Sequence, residues 1–247
     1  MSAAGLAEAA RRMHERGLDE RAIAVFSDYY HQLELGAQGT IPEDSIEPLV
    51  DLTRLDGVGA TEAERAQALG QVVVIKLNGG LGTSMGLAGA KSALSVRDGL
   101  TFLDVIARQV LALRAQYAAP LPVIFMNSFR THEETEAILA AYPDLPVRGL
   151  PLGFLQSAEP KLRVDDLSPV DWPANPELEW CPPGHGDVYL SLARTGLLDA
   201  LRGMGIRYAF LSNADNLGAT CDPDIAAWLL REQVPYLAEV CTRTVND

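Results

Sequence analysis

Residues 72–91, VVVIKLNGGLGTSMGLAGAK, constrain the fold more than any other stretch of the chain. The apolar run Val72-Val73-Val74-Ile75 stops at a loop that holds Gly79, Gly80, Gly82, Gly86 and Gly89 and ends at Lys91. A short β-branched run bounded by turn residues reads as a strand buried on both faces. Such strands belong to parallel sheets, whose ligands sit beyond the carboxyl ends. Glycines placed there let the backbone take positive φ and come close to a ligand. Successive N–H groups then point into one concavity, which suits an anion.

Spacing excludes the two common phosphate loops. Counting back from Lys91-Ser92, a Walker A loop needs glycine where Ala90 and Met85 stand. Starting from Gly80-Leu81-Gly82, a dinucleotide fingerprint needs its third glycine at Met85. What remains is G-G-x-G-T-x-x-G followed by a lysine. This pattern resembles the nucleotide loop of the sugar-nucleotide pyrophosphorylases. The fuller string KLNGGLGTSMG resembles the UTP:glucose-1-phosphate uridylyltransferase family in particular. That family reads Pro-Lys at the loop end, whereas this chain has Ala90 before Lys91.

The rest of the chain predicts alternating strands and helices. Residues 3–36 read as two helices, with Gly17 and Gly36 as stops and Asp19 as a cap. Pro42 and Pro48 make the next segment irregular. Thr61 and Glu64 form a capping box for a short helix over 61–70. A boundary near residue 70 then separates a helical amino-terminal segment, 1–70, from a nucleotidyltransferase domain, 71–247. Asp98-Gly99 marks a turn, and Thr101 with Asp104 opens a helix to about Tyr117. Pro122 to Met126 is a second buried strand, and a Thr131–Glu134 box opens a helix ending before Pro143. Residues 147–156 form an extended segment, 157–179 an ordered excursion, 188–201 one helix capped by Asp187, and 237–242 a last strand. The order argues α/β with parallel pairing. The expected fold is a Rossmann-like, mostly parallel sheet, which the resemblance places in the nucleotide-diphospho-sugar transferase type.

Two further strings carry chemistry. In Trp180-Cys181-Pro182-Pro183-Gly184-His185-Gly186-Asp187, prolines fix the backbone and glycines strip it of side chains. A loop of that kind suits close approach to a substrate. His185 admits a phosphate contact, a proton donor or a plain turn histidine. In YAFLSNADNLGAT, an apolar run read as the buried strand Tyr208–Leu211 is followed at once by Ser212, Asn213, Asp215 and Asn216. Asp215 there admits either a Mg²⁺ ligand, since Mg²⁺ prefers oxygen, or a polar turn residue. Gln156, after Phe154-Leu155, reads by itself as a surface amide.

These strings also match the uridylyltransferase family, and the resemblance runs in order from about residue 25 to the end. It implies the reaction UTP + glucose 1-phosphate → UDP-glucose + pyrophosphate, with Mg²⁺ as cofactor. It assigns nucleotide binding to Leu77, Asn78, Gly79, Gly80, Lys91, Gln156, Gly184 and Asp215. Gln156 and Gly184 would meet uracil. Gly79, Gly80, His185, Asn213, Ala214 and Asp215 would hold the sugar phosphate. Lys91 and Asp215 would be catalytic, with Asp215 on the metal. Two alternatives stay open: a related UDP-sugar or UDP-N-acetylglucosamine pyrophosphorylase, and a non-catalytic UTP-binding fragment. The family pattern continues beyond Arg243-Thr244, so the chain resembles an amino-terminal part of such an enzyme. An unpaired strand at 237–242 would then favour a homo-oligomer.

Composition narrows the partners. The net charge is −13, without an offsetting basic stripe, which argues against nucleic acid. The start, MSAAGLAEAARRMHERG, lacks an apolar core of the signal-peptide kind, and no apolar stretch is long enough for a membrane span. Three cysteines without metal-ligand spacing do not make a disulfide framework. The expectation is a cytoplasmic protein with neither membrane nor nucleic-acid partners.

Overall fold

The computed structural model describes residues 2–81, 89–242 and 244, so Gly82 and Gly86 lie outside the described residues. Strand β1 (Val72–Asn78) runs through the centre of the molecule. It pairs in parallel with β4 (Val123–Asn127) on one side and β8 (Tyr208–Asn213) on the other. Beyond β4 lies β5 (Gly153–Leu155), also parallel, giving the order β5-β4-β1-β8.

The alternation of β1 explains its uninterrupted apolar run. Val72 and Val74 face one core, while Val73 and Ile75 face another, so neither face meets water. The first core is covered by α3 (Glu62–Leu69), α4 (Phe102–Tyr117), α5 (His132–Leu139) and α8 (Pro223–Glu232), through Leu69, Leu103, Ile106, Leu139 and Ala226. The second is covered by α6 (Asp187–Arg194) and α7 (Leu197–Gly203), through Val188, Leu192, Leu197 and Leu201. The chain moves outward from β1 to β4 to β5, then returns to place β8 on the other side of β1. That reversal opens a crevice at the carboxyl ends of the strands, where ligands of such sheets bind.

Helices α1 (Ser2–Glu15) and α2 (Glu20–Glu34) form a third core with Trp180 and Ala158. Trp180 belongs to β7 (Trp180–Cys181), which pairs antiparallel with β6 (Glu159–Pro160). Arg16, just past α1, lies over the rings of both Phe129 and Trp180, at 4.7 and 4.6 Å. A second hairpin, β2 (Ser95–Arg97) and β3 (Leu100–Thr101), turns at Asp98-Gly99 with positive φ at both residues. No helix among the described residues is long and apolar enough to cross a membrane.

Several local expectations need correction. The segment 188–201 is two helices, because Gly196 adopts φ +71° and breaks the run. Asp187 is the first residue of α6 rather than its cap, and its carboxylate accepts from Ser157 N–H at 2.6 Å and Ser191 Oγ at 2.7 Å. Thr131 does not form a capping box. Its hydroxyl donates instead to the Asn78 carbonyl at 2.7 Å, so the fold takes the group that a local cap would use. Of 147–156, only Gly153–Leu155 is strand, because turns occupy the earlier part. β8 is not buried: its residues alternate between half-buried and exposed, since it has one neighbour and forms the outer edge. Residues 237–242 form no strand, so among the described residues β8 is one edge of the sheet and β5 the other.

Candidate active site

All four parallel strands end on the same side, and the chain leaves them carrying the residues singled out above. β1 delivers Gly79 into a buried position. A Cβ on Gly79 would collide with Nε2 of Gln156, so the glutamine amide lies directly across the glycine. Gln156 itself follows β5, where its N–H donates to the Asn127 carbonyl at 2.9 Å. Gly80 is exposed and has open space around it.

The glycine loop is closed at its base. Leu81 and Ala90 form an antiparallel bridge, and Lys91 N–H donates to the Gly80 carbonyl at 3.1 Å. Ala90 has φ −62°, the value that a proline ring would impose. Its N–H, which proline would lack, donates to Glu134 Oε2 at 2.7 Å. A Cβ on Gly89 would run into the same carboxylate. The position before Lys91 is therefore held by a charged hydrogen bond from α5.

Asn78, the last residue of β1, faces the interior. Its Nδ2 donates to Asn127 Oδ1 and Thr135 Oγ1, each at 2.8 Å, and its Oδ1 accepts from Ser92. This buried network joins the start of the loop to Ser92, just past its end. Leu77 sits in the ladder between Met126 and Asn213, and its carbonyl accepts from Ala214 N–H at 3.0 Å. Ala214 is buried, while Asn213 ends β8 on its exposed face.

The same turn carries Asp215. Its Oδ2 meets Lys91 Nζ at 2.6 Å, with the two side chains 30% and 40% exposed. The cation at the end of the glycine loop thus meets the carboxylate at the end of β8, across the mouth of β1. The loop after Asp215 is folded by Asn216 Oδ1, which accepts from Gly218 and Ala219 N–H at 3.1 and 3.2 Å.

Gly184, at φ +108°, and His185 lie on an exposed loop just before α6. The Ser157–Asp187 hydrogen bond ties that loop to the residue after Gln156. Among the described residues, no hydrogen bond links His185's ring to Gly79, Gln156, Lys91 or Asp215. Beneath the loop, burial and then the Asp187 charge push the Glu159 carboxyl up to about 7.

The structure adds residues that sequence reasoning passed over: Lys76, Ser92, Asn127, Glu134 and Thr135. Lys76 had a visible signal, as a lysine inside a strand otherwise buried on both faces. Glu134 has the spacing of a capping partner, which hides its role at the loop, and the others carry no local signal.

The sequence matches the family model described as UTP--glucose-1-phosphate uridylyltransferase over residues 23–247. A Solanum tuberosum UTP--glucose-1-phosphate uridylyltransferase is 42% identical over 207 residues, covering 83% of this chain and 43% of that protein. Among solved structures, a UDP-glucose phosphorylase from Trypanosoma brucei superposes with a TM-score of 0.91 at 43% identity, covering 99% of this chain and 52% of that one. A variant of Leishmania major UDP-glucose pyrophosphorylase, in complex with UDP-glucose, superposes with a TM-score of 0.88 at 39% identity, covering 99% and 50%. The chain spans about half the length of the relatives it matches. With loop, sheet order and matched length in agreement, the chain belongs to the UTP--glucose-1-phosphate uridylyltransferase family.

Proposed function

We propose that this chain binds UTP at the carboxyl end of its sheet and serves the joining of UTP to glucose 1-phosphate, giving UDP-glucose and pyrophosphate. The observation that carries the reading is the contact between Lys91 and Asp215, a cation from the glycine loop and a carboxylate from β8, beside exposed Gly80. Family membership and the UDP-glucose complex of the Leishmania relative support the substrate. Residues 71–247 would be the nucleotidyltransferase unit and 1–70 a helical segment in front of it.

In this reading a phosphate oxygen of the sugar phosphate attacks the α-phosphorus of UTP in line. One P–O bond forms and the bond to pyrophosphate breaks. The substrate is already an anionic nucleophile, so the protein's task is to hold two polyanions and stabilise charge on the leaving group. The backbone at Leu77, Asn78, Gly79 and Gly80 lines the nucleotide, with the Asn78 side chain acting as internal bracing. Gln156 and Gly184 meet uracil. His185, Asn213 and Ala214 place the sugar phosphate, and Lys91 faces the phosphates.

The residues fit Mg²⁺ of a particular kind. Among the described residues no three His, Cys, Asp or Glu side chains gather as a metal cage. Asp215 is a single carboxylate at the crevice, which suits an ion held by one protein carboxylate and by substrate phosphates. When bound, Mg²⁺ would neutralise phosphate charge. A cytoplasmic setting belongs to the same reading, and the free thiols of Cys181, Cys221 and Cys241 suit a reducing compartment.

Calorimetric titration of UTP with and without Mg²⁺ tests the proposal. Asp215→Asn keeps the size and removes the charge, so Mg²⁺-dependent affinity should fall by roughly tenfold or more. Identical titrations for the variant and the parent would overturn the assignment. Pyrophosphate release, with glucose 1-phosphate competed by N-acetylglucosamine 1-phosphate, decides the sugar.

A further inference from the structure

Lys76 is the least expected residue in the core. It lies in the middle of the central strand and is 2% exposed. It faces the core shared with α4, where the facing side chains are Ile106, Gln109, Val110 and Leu113. A buried ammonium normally finds a carboxylate. Here its partners are Ser212 Oγ on β8 at 2.7 Å and the Ala219 carbonyl at 2.9 Å, with the Phe210 ring 5.6 Å away. Among the described residues, the one titratable group acting on it is the thiol of Cys221, which burial pushes up to about 12.

Those partners lie on either side of Asp215. Ser212 precedes it on β8, and Ala219 closes the loop that follows it. Gln109 reinforces the same loop through the Leu217 carbonyl at 3.2 Å. We propose that Lys76 is the positioning residue for the Asp215 loop: its buried ammonium ties Ala219 to Ser212 and thereby sets where Asp215 meets Lys91 and the nucleotide. The effect on ligand rests on the functional reading above, whereas the clamp itself does not.

A core lysine without a carboxylate costs global stability, because an apolar side chain of similar length would be favoured there. Holding the loop accounts for its presence. Burial lowers its pKa from 10.5 to about 8. The folded chain therefore loses this proton near pH 8, while the unfolded chain keeps it until 10.5. Between those values the unfolded state binds more protons, so this group's contribution to stability rises with pH. The clamp weakens over the same window, because a neutral amine donates weaker hydrogen bonds.

The test is Lys76→Met, which keeps the stem and removes the ammonium. Amides of residues 214–220 should exchange with deuterium about tenfold faster, while those of β1 and β4 stay protected. UTP affinity in Mg²⁺ should fall roughly tenfold, the loss of one charged hydrogen bond. The melting temperature should hold or rise. Ser212→Ala, which leaves the core intact, should loosen the same amides. Lys76→Arg should restore part of the binding, since a cavity of about 20 Å³ beside Lys76 gives room. Above pH 8 the parent should gain stability and lose UTP affinity, and Lys76→Met should lose both trends. Uniform loosening of β1 in Lys76→Met, or unchanged exchange at 214–220, would overturn the clamp. Faster exchange with unchanged UTP affinity would overturn its role in positioning Asp215. A parent that binds no UTP would overturn the nucleotide reading instead, and exchange alone would then decide the clamp.

Discussion

Gly79 and Gln156 make one unit at the scale of single residues. The glycine is flat against the amide, so a methyl group at 79 must displace Gln156 Nε2. That nitrogen is the far end of a flexible side chain, and it can move without disturbing the sheet. Gly79→Ala should therefore leave stability within about 1 kcal/mol. It should weaken UTP binding about tenfold if the amide reads uracil, because the amide is driven off its position. Thermal melting and calorimetric titration on the same preparation check both halves. Unchanged UTP affinity in a folded variant would remove Gln156 from the uracil contact. Ala90 shows the opposite economy of means: it keeps proline's φ but adds a hydrogen bond to Glu134, so the loop base is held from outside the loop.

Helix α5 shows what an element can hide. An N-terminal threonine followed by glutamate predicts reciprocal capping, yet Thr131 Oγ1 donates to Asn78 and accepts from Ser128 N–H at 3.0 Å. An aspartate serves as well as threonine at an ordinary cap. Here it could accept from Ser128 but could not donate to Asn78. Thr131→Asp should therefore cost about 3–5 kcal/mol, because it strands a buried carbonyl and buries a carboxylate where threonine is fully enclosed, measurable by urea denaturation. A variant as stable as the parent would mean that the hydrogen bond to Asn78 contributes nothing to stability. The contrast with Thr61 and Thr101 shows what was legible. Those boxes form as expected, because both partners are local; even Asp104, which also accepts from Tyr142 Oη at 2.7 Å, keeps its other oxygen on Thr101. The parallel sheet was legible from the β-branched runs, and the site strings from their glycines and polar ends. Gly196 gives no warning in the sequence because the apolar spacing continues through it, although its φ of +71° breaks the helix. Glu134 and the Asn78 network were illegible because their meaning lies in contacts between β1, α5 and the loop, far apart in sequence.

At the scale of the whole molecule, the two ends of the sheet are braced unequally. On the β5 side, the segment that follows leads into the β6–β7 hairpin, and α1 and α2 pack on it. Arg16 is sandwiched between Phe129 and Trp180 and paired with Glu177 at 2.8 Å. Removing it as Arg16→Ala should loosen α1 by about 1–2 kcal/mol. Limited proteolysis should then cut near residues 15–20 well before the sheet, and equal resistance in variant and parent would show that the stacking contributes nothing. On the other side β8 has one strand neighbour, and its outer face alternates into solvent.

That asymmetry sets the order in which warmth undoes the molecule. β8, an edge strand whose side chains alternate into solvent, leads directly to Asp215, so the turn proposed to face phosphate should open while β1 and β4 remain closed. On slow heating, UTP should cease to bind several degrees before the far-ultraviolet circular dichroism signal collapses. The site is thus its own early thermometer: recognition fails first and the scaffold later. Coincident loss of binding and helicity would show instead that β8 melts only with the whole.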